Sequence, residues 1–566
     1  MSDLRGDGRV DRRFFFRRMG VLGGATVLAG VGYAIADEVT GSGGRSPGAP
    51  GNGTTIATGA GTWPVTSQRA VHTGALGLPV ANWVVEENSR PGTTGWLVSG
   101  SPPHGIEGYV DRTSANRGEV VRLYVNTVAT SFVVHAYRMG WYRGKGARLV
   151  TTFGPVRGRV QPAATVTPGV NMVECPWHES LRFRIGGQWP PGCYLLKLVG
   201  RNGYSQWVPL VVRDDASGAA VVVQSAVTSW QAYNLWGGYS LYGTGPGGTG
   251  YSGRSRVVSF DRPYPANWEN GSADFFGNEY PLVALLERHG VDVTYWTDVD
   301  LHERPQLLAR HRCLVTLGHD EYWSSSMRSG ADAALDRGVN LVFLGANACY
   351  RHVRFESSPT GPNRRQVCYK DATEDPLYGH DNAEVTSNWP DGPDPRPECA
   401  LIGVEYTAYG GRGDLVVADA GSFVFAGTDL RNGGRIQNIL GSEFDSYVPK
   451  RPSPPNLQIL CHSPTPSALG PATADMSYYT RHGGGGVFAT GTAAWVNRLW
   501  HNDGTLPVPF APKPSKSTSV ASRITLNVIA QFSRGPGSRF HPSSANWQGF
   551  YAAGSGTLTP VEAPGH

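Results

Sequence analysis

The run Cys313-Leu-Val-Thr-Leu317, followed by Gly318-His319-Asp320-Glu321-Tyr322-Trp323, decides the fold. An apolar run without polar alternation describes a strand buried on both faces. A helical pattern follows from about Ser324 to Arg337 and stops at Gly338. A second apolar run comes next, Val339-Asn-Leu-Val-Phe-Leu344. Toward the amino terminus the alternation recurs. Ala219-Ala-Val-Val-Val-Gln224 is a strand, Glu279 to His289 an amphipathic helix ending at Gly290, Val291-Asp-Val-Thr-Tyr295 a strand, and Pro305 to Arg310 a helix. Four apolar strands separated by helices predict a doubly wound parallel sheet. In such sheets ligands lie beyond the carboxyl ends of the strands, so the residues just after each strand are the ones to inspect.

On either side the pattern is β. Glu119–Val125, Ser131–Tyr137, Leu181–Ile185, Cys193–Val199 and Trp207–Val212 are strand-length runs with Gly and Pro between them, and predict a β-sandwich over 70–213. The α/β region spans 216–546. Beyond residue 351 it is read as β-rich elaboration, with Ser422–Ala426, Gly486–Ala489 and Ile524–Ile529 as candidate elements among short strands and long loops. Residues 547–566 read as a tail. The fold class is therefore α/β, an N-terminal β-sandwich followed by a doubly wound parallel sheet with β-rich elaborations.

The first 36 residues read as an address. Asp11-Arg12-Arg13-Phe14-Phe15-Phe16-Arg17-Arg18 is a twin-arginine cluster, Met19 to Ala36 a modestly apolar stretch ending in Ala34-Ile35-Ala36. This predicts export by the twin-arginine machinery to the cell envelope or beyond, with a membrane tether if the signal stays uncleaved. Residues 37–69, rich in Gly, Ser and Thr, read as a flexible linker. Charged residues at 17% and hydrophobic ones at 40% exclude a largely disordered chain. A net charge of +5 with scattered arginines gives no nucleic-acid footprint. The seven cysteines show no zinc spacing, and an oxidising destination makes Cys349 with Cys368 and Cys175 with Cys193 candidate disulfides.

Polar and aromatic residues concentrate at three of the four strand ends. They are Trp230-Gln-Ala-Tyr233-Asn-Leu-Trp236-Gly-Gly-Tyr239-Ser-Leu-Tyr242, the His319-Asp320-Glu321 run, and Gly345-Ala346-Asn347. Alone, the acidic run reads equally well as a helix cap and the tyrosines as a packed or sugar-stacking loop. Convergence at one crevice favours a site.

On these residues the chain resembles the large-subunit family of N,N-dimethylformamidase. The matching motifs are Tyr137-Arg-Met-Gly-Trp-Tyr142, Ala232-Tyr233-Asn234, Ser240-Leu241-Tyr242, His319-x-Glu321-Tyr322, Gly345-x-Asn347 and Gly441-Ser-Glu443-Phe-Asp445, together covering about residues 75–540. The resemblance implies a glutamine-amidotransferase-like sheet and a mononuclear Fe3+ held by two tyrosinates and a glutamate, here Tyr233, Tyr242 and Glu321. His319, Asn347 and Glu443 are implied as catalytic groups, and a small-molecule amide as substrate. Tyr239, Tyr264 and Tyr280 lie in the same connection, so the second tyrosine stays open at this point. Asp320 and Trp323 flank the glutamate where the formamidases carry proline and tyrosine, a departure that bears on substrate identity. A homo-oligomer and a small partner subunit both remain open.

The residue types suit that chemistry. Two phenolates and a carboxylate are hard, anionic oxygen donors that match Fe(III) better than zinc or copper. Phenols titrate near pH 10 in water, so only a strongly charged cation keeps two of them ionised at neutral pH. Two other readings compete. One is a cysteine or serine hydrolase, for which Cys349 follows a strand but has no activating base in its vicinity. The other is an exported, non-catalytic glycan- or surface-binding protein using the 16 tryptophans.

Overall fold

Side chains along the predicted central strands alternate between two cores, as a sheet covered on both faces requires. Val221, Val223, Val315, Leu317, Val342 and Leu344 enter one apolar cluster, and Val222, Leu314, Leu341 and Phe343 the other. The computed structural model describes residues 70–244, 250–499 and 515–551. The signal and linker readings of 1–69, and residues 552–566 of the expected tail, lie outside the described residues.

The amino-terminal part contains α1 (Asn82–Ser89) and, besides two short two-stranded pairings, the strands β1 (Ile106–Val110), β2 (Ser114–Asn116), β3 (Val120–Thr127), β4 (Ser131–Met139), β5 (Ala147–Arg157), β6 (Leu181–Arg184), β7 (Gly192–Gly200) and β8 (Ser205–Arg213). They form a three-stranded sheet, β6-β3-β1, and a five-stranded sheet, β2-β8-β7-β4-β5. Leu123 and Val125 of the first sheet and Leu196, Leu198 and Leu210 of the second share one apolar cluster.

The second part contains β9 (Val221–Ser225), α2 (Val227–Tyr233), α3 (Tyr280–Arg288), β10 (Val293–Thr297), α4 (Asp298–Glu303), β11 (Cys313–Gly318), α5 (Ser325–Asp336) and β12 (Asn340–Gly345). After these come β13 (Glu405–Val416), β14 (Arg435–Ser446), β15 (Gln458–Ser467), β16 (Gly470–Thr480), β17 (Gly486–Ala489) and α6 (Lys516–Phe532). Seven strands make one sheet in the order β10-β9-β11-β12-β17-β16-β15. The first five run parallel, and β16 and β15 are antiparallel. Thus Gly486–Ala489 is a fifth parallel strand rather than part of an elaboration. The fold is mixed α/β and rich in sheet. Among the described residues no helix is long and apolar enough to cross a membrane.

Several expectations are corrected. Ile524–Ile529 lies inside the helix α6, whose start is fixed by reciprocal bonds between Ser515 and Thr518. Pro305–Arg310 is a 3-10 helix, and Ser422–Ala426 reduces to a single 3-10 turn at Phe423–Phe425. Neither expected disulfide forms, for all seven cysteines are free and buried. Cys349 accepts a hydrogen bond from Arg328 Nη1 at 3.3 Å and packs in one cluster while Cys368 packs in another; Cys175 and Cys193 are likewise in separate clusters. Residues 547–551, at the start of the expected tail, pack on the fold. Trp547 and Tyr551 both pack on Tyr447, and Tyr551 donates to Asp475.

The Tyr137–Tyr142 run has a structural use. Arg138 on β4 is wholly buried and forms a two-pronged ion pair with Glu287 of α3, at 2.8 and 2.5 Å. Tyr295 and Asn88 donate to the same carboxylate, and Tyr142 donates to Glu87 at 2.8 Å. Arg138→Met is expected to lower unfolding stability by about 3–5 kcal/mol, because it leaves a buried carboxylate without its cation. Chemical denaturation checks this. A loss within roughly the 0.5 kcal/mol of a surface substitution would remove the pair from the account of how β4 is held to α3.

Candidate functional site

The strand ends converge because β11 and β12 end in glycine. Gly318 has φ +49°, and a Cβ there would lie 2.5 Å from Asn278; a Cβ on Gly345 would lie 1.9 Å from the Gly318 carbonyl oxygen. Only glycine permits so close a pairing, which sends His319 to Glu321 and Asn347 out beyond the sheet together. Glu321 is then fixed by its backbone: its N–H donates to Ser229 Oγ of α2 at 2.9 Å, and its carbonyl accepts from Arg351 N at 2.8 Å.

Tyr233 is the last residue of α2. Tyr242 follows two turns later, beyond a 3-10 turn at Trp236–Gly238. Arg262 ties this connection down, donating to the carbonyls of Asn234, Trp236 and Tyr239 at 3.0, 3.0 and 2.9 Å. The two phenol rings stack with centroids 4.3 Å apart. Tyr233 Oη lies 2.7 Å from Tyr242 Oη and 2.8 Å from Glu321 Oε2, and Tyr242 Oη lies 2.9 and 2.8 Å from the two carboxylate oxygens. Three oxygens from three separate stretches of sequence therefore meet at hydrogen-bond distance. Of the other tyrosines of the connection, Tyr280 donates to the Gly140 carbonyl and Tyr264 packs on Trp230.

The three remaining candidates lie beside this cluster. His319 Nε2 is 2.9 Å from Glu443 Oε2 and 3.5 Å from Glu321 Oε2. Asn347 Nδ2 donates to Glu443 Oε2 at 3.1 Å and lies 3.4 Å from His319 Nε2. Glu321 has no exposed side-chain surface, whereas His319 and Glu443 each keep 12% and Tyr233 and Tyr242 are partly buried, so solvent reaches the edge of the group but not the carboxylate. Asn347 takes the left-handed conformation, φ 56°, and its N–H donates to Asp445 Oδ1 at 2.8 Å.

Electrostatics follow from burial. Burial, and next the charge of Glu321, push the Tyr233 phenol well above its ordinary range, and the same two causes act on Tyr322. Both are therefore neutral unless a cation intervenes. Burial works against charge on His319, but Glu443 outweighs it, with help from Glu321, and raises the imidazole to about 9. Burial raises Asp445 and Asp320 to about 7.

Sequence reading assigned no role to three neighbours. Tyr322 Oη donates to Tyr242 Oη at 2.6 Å, Arg351 Nε lies 3.4 Å from Glu321 Oε1, and Lys370 Nζ sits 3.1 Å from the centre of the Tyr242 ring. Tyr322 stood in the quoted motif, whereas Arg351 and Lys370 arrive through distant pairing and carried no local signal. Among the described residues no group of three or more His, Cys, Asp or Glu side chains is placed to hold a metal ion, so a metal at this cluster would rest on the phenol oxygens.

Residues 133–505 match the family model described as N,N-dimethylformamidase beta subunit-like, C-terminal. The match starts within β4, later than the 75 expected from the motifs, and ends before 540. The N,N-dimethylformamidase beta subunit of Paracoccus aminophilus is 24% identical over 287 residues, which are 44% of this chain and 36% of that protein. The beta subunit from Alcaligenes sp is 24% identical over 286 residues, with the same shares. The match thus spans about a third of the length of these relatives.

Proposed function

The chain belongs to the N,N-dimethylformamidase beta subunit-like, C-terminal family, and from that membership we propose an exported hydrolase that cleaves an amide or formamide C–N bond. In this reading one ferric ion is held by Tyr233, Tyr242 and Glu321. The observation that supports it is the meeting of Tyr233 Oη, Tyr242 Oη and Glu321 Oε2 within 2.8 Å of one another. The donors fit the ion. Each is a hard oxygen, and the carboxylate is fully buried between the two stacked phenols. The β9–β12 region is read as the family's amidotransferase-like sheet, and the relatives' designation as beta subunits makes a second kind of subunit part of the proposal.

A ferric ion so bound would polarise an amide carbonyl and acidify a water. The chain's own groups do the rest. His319 and Glu443, at the edge of the group, hold a proton between Nε2 and Oε2 and deliver it to the departing amine nitrogen. Asn347, fixed by Asp445, offers its amide N–H to the oxygen on which charge develops.

Metal analysis of natively folded protein tests the reading, which expects about one iron per chain and a phenolate-to-iron absorption band in the visible. Full iron content without colour would exclude tyrosinate ligation. Absence of iron, with no amide hydrolysed, would leave the binding-protein alternative.

A further inference from the structure

A cavity of about 50 Å³ opens where the sandwich meets the large sheet. Val110 and Val208 line it from the sandwich, and Trp230, Phe260, Phe275 and Arg262 from the α/β side. That space holds roughly three to five waters, or one small molecule of a few heavy atoms. Its walls are mostly apolar but include three arginines; Arg112 is paired with Asp111 and Arg364 with Asp261, and the third is Arg262.

Arg262 is 1% exposed. Its two terminal nitrogens are used on backbone carbonyls, while Nε is buried without a hydrogen-bond partner among the described residues. The neighbouring carboxylates are engaged elsewhere. Asp261 accepts from Arg364 Nε at 2.8 Å, and Glu107 accepts from Trp236 Nε1 and Asn126 Nδ2 at 2.8 and 3.0 Å. Burial consequently pushes the guanidinium down to about 10. A buried cation without a counter-charge is costly, and proteins remove the cost with a paired anion.

We propose that this cavity is a second ligand site, separate from the tyrosine–glutamate cluster, that takes a small monovalent carboxylate of formate or acetate size against Arg262. The small volume favours a short acid, and the mostly apolar walls disfavour multiply charged, strongly hydrated anions. Because Arg262 also fastens the connection between Tyr233 and Tyr242, an anion there would stiffen the loop that carries both tyrosines.

Formate is the probe, because its single C–H proton reports contact by saturation-transfer NMR on the full chain. We expect a saturable signal in the parent that survives Glu321→Gln. It should fall at least tenfold in Val208→Phe, which fills the cavity while keeping Arg262. If Val208→Phe does not fold, Arg262→Lys serves, since it keeps a cation but withdraws Nε, and the same loss is expected. No signal in the parent, or one that vanishes in Glu321→Gln and persists in Val208→Phe, overturns the proposal. So does a signal equal in all variants, which means an adventitious anion only.

Discussion

Glu321→Gln is expected to abolish iron binding and, with it, amide hydrolysis. The side chain is fully buried and receives both phenols, so the substitution changes shape little while removing the only formal negative charge that the cluster carries before metal arrives. The amide also turns one oxygen acceptor into an N–H donor facing phenol oxygens. Both changes act against a trivalent cation, and the loss of affinity should exceed the roughly ten- to hundredfold caused by removing a group outside the ligand set. Iron titration with parallel thermal unfolding checks this, because a variant that folds but binds nothing separates loss of a ligand from loss of structure. Parent-like iron binding by the variant would remove Glu321 from the ligand set.

Three of the central strands were legible because a strand covered on both faces needs no polar alternation, and the runs at 219–224, 313–317 and 339–344 show none, whereas Val291-Asp-Val-Thr-Tyr295 alternates. β17 was harder to place, being only four residues long and remote in sequence from its partner β12. α6 was misread for a physical reason. Ile524-Thr-Leu-Asn-Val-Ile529 is rich in β-branched residues and buried on nearly every side, so no polar face marked the helical period. At the site, the rule that ligands lie beyond strand ends located His319, Glu321 and Asn347. It did not choose among the tyrosines, since that choice depends on the turn that folds Tyr242 back over Tyr233. Arg351 stayed hidden because it reaches the cluster through its parallel register with Tyr322, a pairing with no trace in either segment alone.

His319→Ala should leave iron largely bound at saturating supply but lower turnover by roughly a hundred- to ten-thousandfold, the usual loss for a proton-transfer group. The geometry permits a sharper form of this expectation. His319 Nε2 and Glu443 Oε2 are 2.9 Å apart, and Asn347 holds the same carboxylate oxygen, so the imidazole and the carboxylate handle one proton as a unit. Groups that act as a unit are not additive: once His319 is gone, Glu443 has lost the partner through which it works. The double variant His319→Ala, Glu443→Gln is therefore expected to be about as slow as the worse single variant, not slower by the product of the two losses. Single-turnover hydrolysis across a panel of formamides and small amides, with iron measured in every variant, supplies the four rates of the cycle. Multiplicative losses would mean that the two groups act in different steps, and loss of iron from His319→Ala alone would move the histidine into the metal's own ligand set.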